Sequence, residues 1–162
     1  MSNTFSGGDY DLNLNNNATA VFIDLLILAV SDLVRAPWDF RFAALLTLQD
    51  QNIMGRGMVG FDLEDIDWGA TPRERARNKE FVLRTVGLAL SRHRWEELRY
   101  EPARAPGYLR DFHSMVQAFE PPDRPGTATD FPGPHEAAMA SCVQHRVLNA
   151  LPHWDACIFC TQ

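Results

Sequence analysis

Cys142-Val143-Gln144-His145 and Cys157-Ile158-Phe159-Cys160 set three cysteines and a histidine in the pattern C-x2-H-x11-C-x2-C. Each two-residue spacing lets a tight turn bring both of its ligands to one side of a metal. Thiolates and imidazole suit tetrahedral zinc, and four protein ligands leave no open coordination position. The pattern therefore predicts one structural Zn2+ held by Cys142, His145, Cys157 and Cys160, a staple rather than a Lewis-acid catalyst. His153 is the alternative histidine ligand, at a less regular spacing. Two other readings compete with zinc: a redox pair Cys157/Cys160, or free cysteines beside an incidental histidine. The twenty-one residues from Cys142 onward are too few for an adequate apolar core, so bound metal would supply most of this tail's folding free energy.

A second constellation is acidic. Asp62, Glu64, Asp65 and Asp67 fall within six residues, followed by Trp68. Their spacing matches no calcium loop, and no second oxygen-rich segment accompanies them. They read either as a solvated acidic loop or as a docking edge for a basic protein, with Trp68 as its anchor. Gly55-Arg56-Gly57-Met58-Val59-Gly60 matches G-x-G-x-x-G, but a dinucleotide fingerprint requires a strand before it and a helix after it. Here a predicted helix precedes and carboxylates follow, so a tight turn exploiting glycine's positive φ is the better reading. Arg92 to Tyr100 mixes cations and aromatics whose charges nearly cancel, as at a helix C-terminus. His93 and His113 have no serine or cysteine nucleophile at a recognisable spacing.

The elements that must position these groups are mainly helical. Residues 1–18 read as a loose segment rich in Asn, Gly and Asp. A central buried helix is predicted from Thr19 to Arg35, with Asn17 or Thr19 as N-cap and Pro37 beyond its end. Asp24 inside that apolar run requires a partner if buried. A second helix follows from Pro37 to Gln51, with Phe40, Ala44, Leu45 and Leu48 on one face. Phe61 to Trp68 reads as an irregular acidic loop anchored by its apolar members. Thr71-Pro72-Arg73-Glu74 is a capping box opening a third helix that continues to Trp95 or Leu98. Pro106 opens a fourth, ending near Phe119. Residues 121–134 hold five of the ten prolines and read as a stiff linker; residues 135–162, starting with a short helix at His135–Ser141, form the zinc-binding tail. The predicted fold is a bundle of about four helices over 19–120 with a small C-terminal zinc-knuckle or ribbon appendage.

Composition narrows the function classes. A net charge of -6 and pI ≈ 5.3 argue against binding a phosphate backbone and favour a basic partner. No basic leader precedes an apolar stretch, and the longest apolar run, Ala20 to Val30, is interrupted by Asp24. The expectation is a cytoplasmic protein that binds neither membrane nor nucleic acid. Two further classes are a small hydrolase-type enzyme using His113, Asp111 or Glu97 in a cleft between helical body and tail, and a zinc-dependent regulatory adaptor.

Gly57-Met58-Val59-Gly60-Phe61-Asp62-Leu63, then Trp68, a helix carrying Lys79 and Phe81, Trp95-Glu96-Glu97-Leu98-Arg99-Tyr100 and the C-x2-H…C-x2-C tail together resemble small bacterial immunity-type proteins. The resemblance spans roughly residues 19–118 and the tail. It implies a non-enzymatic module that neutralises the cognate toxin of a polymorphic or contact-dependent system by masking its surface. No binding residues carry over, because each immunity protein faces its own toxin.

Overall fold

The structure is a computed structural model and describes residues 3–49, 59–123, 131–136, 139–140, 146–149 and 159. The described chain is mainly α, with four α-helices and two small antiparallel hairpins. No helix among the described residues is long and apolar enough to cross a membrane.

The first element corrects the expectation of a loose N-terminal segment. β1 (Asn3–Gly7) pairs antiparallel with β2 (Tyr10–Leu14), from Asn3 opposite Leu14 to Gly7 opposite Tyr10. Gly8 takes φ +57 at the first of the two turn positions, which matches the twist of the strands it joins. Phe5, Leu12 and Leu14 sit on one face and are buried, while the polar residues between them face outward. That period of two is concealed by a composition rich in Asn, Asp and Gly.

α1 (Asn16–Ser31) starts earlier than predicted. Asn15 caps it, its Oδ1 accepting the Ala18 N–H at 2.8 Å. Phe22, Ile23 and every residue from Leu25 to Val30 are buried, because α2 (Pro37–Thr47), α3 (Pro72–Leu90) and α4 (Ala105–Ala118) cover this helix from several sides. Asp24 is only half-buried. Tyr100 is held above its ordinary pKa, first by burial and then by the Asp24 charge.

α2 (Pro37–Thr47) is shorter than predicted and owes its entry to Asp39, whose side chain is fully buried. One carboxylate oxygen accepts the Arg35 and Ala36 N–H groups at 3.0 and 2.9 Å. Arg77 completes the site with a two-pronged ion pair from α3, one prong at 2.8 Å. Burial alone would raise this carboxyl, but the Arg77 hydrogen bonds, the two backbone amides and the Arg77 charge outweigh it and hold Asp39 below the ordinary aspartate value.

α3 (Pro72–Leu90) opens as the sequence predicts. Thr71 Oγ1 accepts the Glu74 N–H at 3.1 Å, while Glu74 reaches back one residue further than expected, to the Ala70 N–H at 2.9 Å. Its other end differs: the helix stops at Leu90 and a 3-10 turn follows at Trp95–Leu98. Arg92, Arg94 and Arg99 adopt left-handed backbone there, at φ of 66, 59 and 61°. The reversal turns Trp95 inward, where its Nε1–H donates to Ala89 O at 3.0 Å under the Arg92 guanidinium. α4 (Ala105–Ala118) lies against α3, and Lys79 Nζ donates to the Gln117 and Phe119 carbonyls at its end.

The described parts of the C-terminal third join this same core. Phe131, in the proline-rich stretch, is buried 5.8 Å from the Trp38 ring centroid and 4.8 Å below the Arg41 guanidinium carbon. Arg41 Nε–H donates to Pro132 O at 2.8 Å. Instead of the predicted helix at 135–141, a 3-10 turn at Pro134–Glu136 is followed by β3 (Met139–Ala140), which pairs antiparallel with β4 (Leu148–Asn149). Val147, Leu148 and Phe159 are buried in the common core, and the Leu148 N–H donates to Ser31 Oγ at 3.1 Å.

Candidate functional site

The acidic segment is held from below by its own backbone and apolar side chains. Gly60 has φ +134, and a Cβ there would stand 2.0 Å from Thr4 O, so only glycine lets the segment lie against β1. Buried amides fix the same spot. Asn3 Oδ1 accepts the Val59 N–H at 2.9 Å, and Gln49 Oε1 accepts the Gly60 N–H at 2.8 Å. The Ser6 N–H then donates to Phe61 O at 3.0 Å, and Asp62 bridges Ser6 in parallel register. A 3-10 turn, Leu63–Asp65, follows, capped by Asp62 Oδ1 accepting the Glu64 N–H at 2.8 Å. Leu63 and Ile66 are buried beneath it. The predicted acidic loop on apolar anchors is therefore present, with its carboxylates displayed from a braced backbone.

The five residues read as a docking edge do not share one role. Asp65 is exposed, and Asp62 and Glu64 are half-buried at the surface. Asp67 is half-buried as well but tied to the fold: its Oδ2 meets Arg41 at 3.4 Å, its Oδ1 accepts the Gly69 N–H, and its carbonyl accepts Trp38 Nε1–H at 2.6 Å. Trp68 is fully buried, so its side chain is no exposed anchor for a partner. Its Nε1–H donates to Leu63 O at 2.8 Å, and its ring lies 5.8 Å from those of Trp38 and Phe119. Acidic neighbours suggested a surface position. The apolar series Leu63, Ile66, Trp68 was the signal that it belongs inside.

Beside this edge lies a cleft of about 410 Å³ between the end of α2, the acidic segment and residues 131–136. Asp62, Asp65 and Glu136 line it. Leu45 of α2, Leu48 and Gln49 just beyond it, Gly60, Phe61 and Ile66 of the acidic segment, and Phe131 complete the lining, but the surface it presents is mainly polar, because Leu45, Ile66 and Phe131 are largely buried. No lysine or arginine is among the described lining residues. Glu136 was not foreseen as a site residue; it reaches the cleft because Phe131 and Pro132 dock on α2, a contact across about ninety residues that no local pattern encodes.

The residues considered for catalysis are dispersed. His93 Nε2 lies 2.7 Å from Asp32 at the end of α1, and Arg94 reaches the same carboxylate at 3.3 Å, which clasps the α3–α4 connection to α1. Glu97 pairs with Arg94 at 3.8 Å, Asp111 is exposed on α4, and His113 is half-buried. None of the three lines the cleft beside the acidic segment, and most of the tail that would bound the expected catalytic cleft lies outside the described residues. Of the G-x-G-x-x-G match, Val59 and Gly60 are described, and they lead into an acidic 3-10 turn rather than a helix.

Cys142, His145, Cys157, Cys160 and the alternative ligand His153 lie outside the described residues. Among the described residues no group of three or more His, Cys, Asp or Glu is placed to hold a metal ion. The β3–β4 pairing joins the two ends of residues 141–147, the stretch that carries Cys142 and His145. Phe159, between Cys157 and Cys160 in sequence, is buried in the core. No protein family, curated protein or solved structure matches this chain.

Proposed function

We propose that this chain is a protein-binding module of the immunity type, which neutralises a toxin by covering a basic surface of it. The observation that carries the reading is the braced acidic edge beside a cleft lined by Asp62, Asp65 and Glu136, with no lysine or arginine among the described lining residues. Carboxylates on a rigid backbone lose little conformational freedom on docking, and their combined field, in a chain of net charge -6, accelerates encounter with a cationic partner. Glu64 extends the same surface, while Asp67, tied to Arg41, and the buried Trp68 fix the backbone that carries it.

The zinc belongs to this proposal as a staple. Cys142, His145, Cys157 and Cys160 complete a tetrahedral set, supported by their spacing, by the β3–β4 pairing around the first pair and by the burial of Phe159 within the second. Action in the cytoplasm, where thiols stay reduced, suits such ligands.

The test is co-expression with the product of the adjacent upstream gene. Protection of the cells together with co-purification of the two proteins is the expected result. A toxic upstream product that this chain neither binds nor silences contradicts the proposal.

A further inference from the structure

We infer that Arg41 is the positioning residue of the docking edge: from α2 it holds residues 131–136 and the acidic segment together as one surface. This deepens the docking reading above and rests on it. The cleft is built by two segments far apart in the chain, and Arg41 grips both. Its Nε–H donates to Pro132 O at 2.8 Å, its guanidinium lies over the Phe131 ring at 4.8 Å, and its Nη2 donates to Asp67 Oδ2 at 3.4 Å. Trp38, one turn earlier on α2, repeats the double grip. Its Nε1–H donates to Asp67 O at 2.6 Å, and its ring lies 5.8 Å from that of Phe131. Arg41 is not among the described residues that line the cleft, so it acts on a partner through the groups it holds.

The grip reaches Glu136 by a short, stiff path. Pro132 and Pro134 fix φ on either side of Gly133, and Gly133 O accepts the Glu136 N–H at 3.0 Å, closing a 3-10 turn. Phe131 and Pro132 are buried, whereas the turn Pro134–Glu136 buries no side chain of its own. The anchor before the turn therefore places it. Charge alone gives Arg41 no use here, because a cation beside a surface that attracts a basic partner weakens that attraction. Geometry does give it one. A planar guanidinium stacks on one ring while its N–H groups reach acceptors on two segments; a lysine ammonium keeps the charge but has no planar face to stack.

The experiment compares the isotope-labelled full chain with two variants. Arg41→Met keeps an apolar stem over Phe131, and Arg41→Lys keeps the charge. Both should weaken the NOEs between the Trp38 and Phe131 rings and move the Gly133 and Glu136 amides. The Trp68 indole N–H and the amides of α1, α3 and α4 should stay as in wild type. Association with the partner captured by co-expression gives a second readout, in which field and geometry have opposite signs. Arg41→Met makes the chain more acidic, so a role through charge alone tightens binding of a basic partner. A positioning role weakens it, by roughly tenfold in Kd, because a loosened turn must be ordered on docking. Arg41→Lys restores the charge without restoring the affinity. Unchanged NOEs and Glu136 amide in both variants, equal or tighter binding by Arg41→Met, or full rescue by Arg41→Lys overturns the inference. Where the wild-type chain captures no partner, the immunity reading falls, and the NMR comparison alone upholds or overturns the clamp.

Discussion

Replacing Asp39 by Asn tests how this fold is tied together. The carboxylate is fully buried and accepts from two backbone amides at the entry of α2 and from both prongs of Arg77 on α3. Removing one partner of a buried pair costs about 3–5 kcal/mol when the other charge is stranded. Arg77 is 42% exposed and recovers hydration, which reduces that figure, while the amide oxygen of Asn retains part of the cap. A loss of about 2 kcal/mol remains. With a urea dependence of about 2 kcal/mol/M, the midpoint falls by about 1 M at neutral pH with the slope unchanged. The pH dependence follows from the sign of the shift. Asp39 is held below its ordinary value of 3.8, so the unfolded chain binds the proton more tightly. Its stabilisation is fully present above that value and is lost as pH falls through the folded pKa. The gap between wild type and Asp39→Asn should therefore narrow below about pH 4. A midpoint within about 0.3 M of wild type at pH 7, or a gap that widens in acid, refutes the reasoning.

Gly60→Ala places a methyl against Thr4 O at a forbidden φ; a loss of about 3 kcal/mol in urea unfolding is expected, with amide shifts spreading along the acidic segment. Trp68→Phe keeps the buried ring but deletes the Nε1–H donated to Leu63 O. It should cost about 1–2 kcal/mol of stability and leave the partner's association rate unchanged, whereas a large rate effect would restore Trp68 to the interface. Elemental analysis should find about one zinc per chain, and Cys157→Ser should lower that content and the thermal midpoint together. Full thiol reactivity in metal-free, fully stable protein would dismiss the staple.

Much of the helical body was legible because its signals are local. The apolar run of α1, Pro37 and the Thr71-Pro72-Arg73-Glu74 cap act within one or two turns, and each marks a real helix. The end of α3 was not legible. Three arginines in left-handed backbone carry no glycine or proline to announce them, and the reversal is held by Trp95 reaching back to Ala89. The first hairpin was hidden by polar residues on its outer face, which the period of Phe5 and of Leu12 with Leu14 would have disclosed. At the candidate site the acidic run was visible, but the engagement of Asp67 by Arg41 is not encoded in the run itself. Glu136 depends on the docking of Phe131. Such contacts join residues far apart in sequence, where composition and spacing are silent.

The most direct test of the docking edge is the association rate with the partner that the co-expression experiment identifies, measured against ionic strength for wild type and for Asp65→Lys/Glu136→Lys. The account predicts fast association that slows with added salt, and a variant that associates roughly ten times more slowly with a flatter salt dependence. Identical rates and identical salt slopes in the two proteins would contradict it.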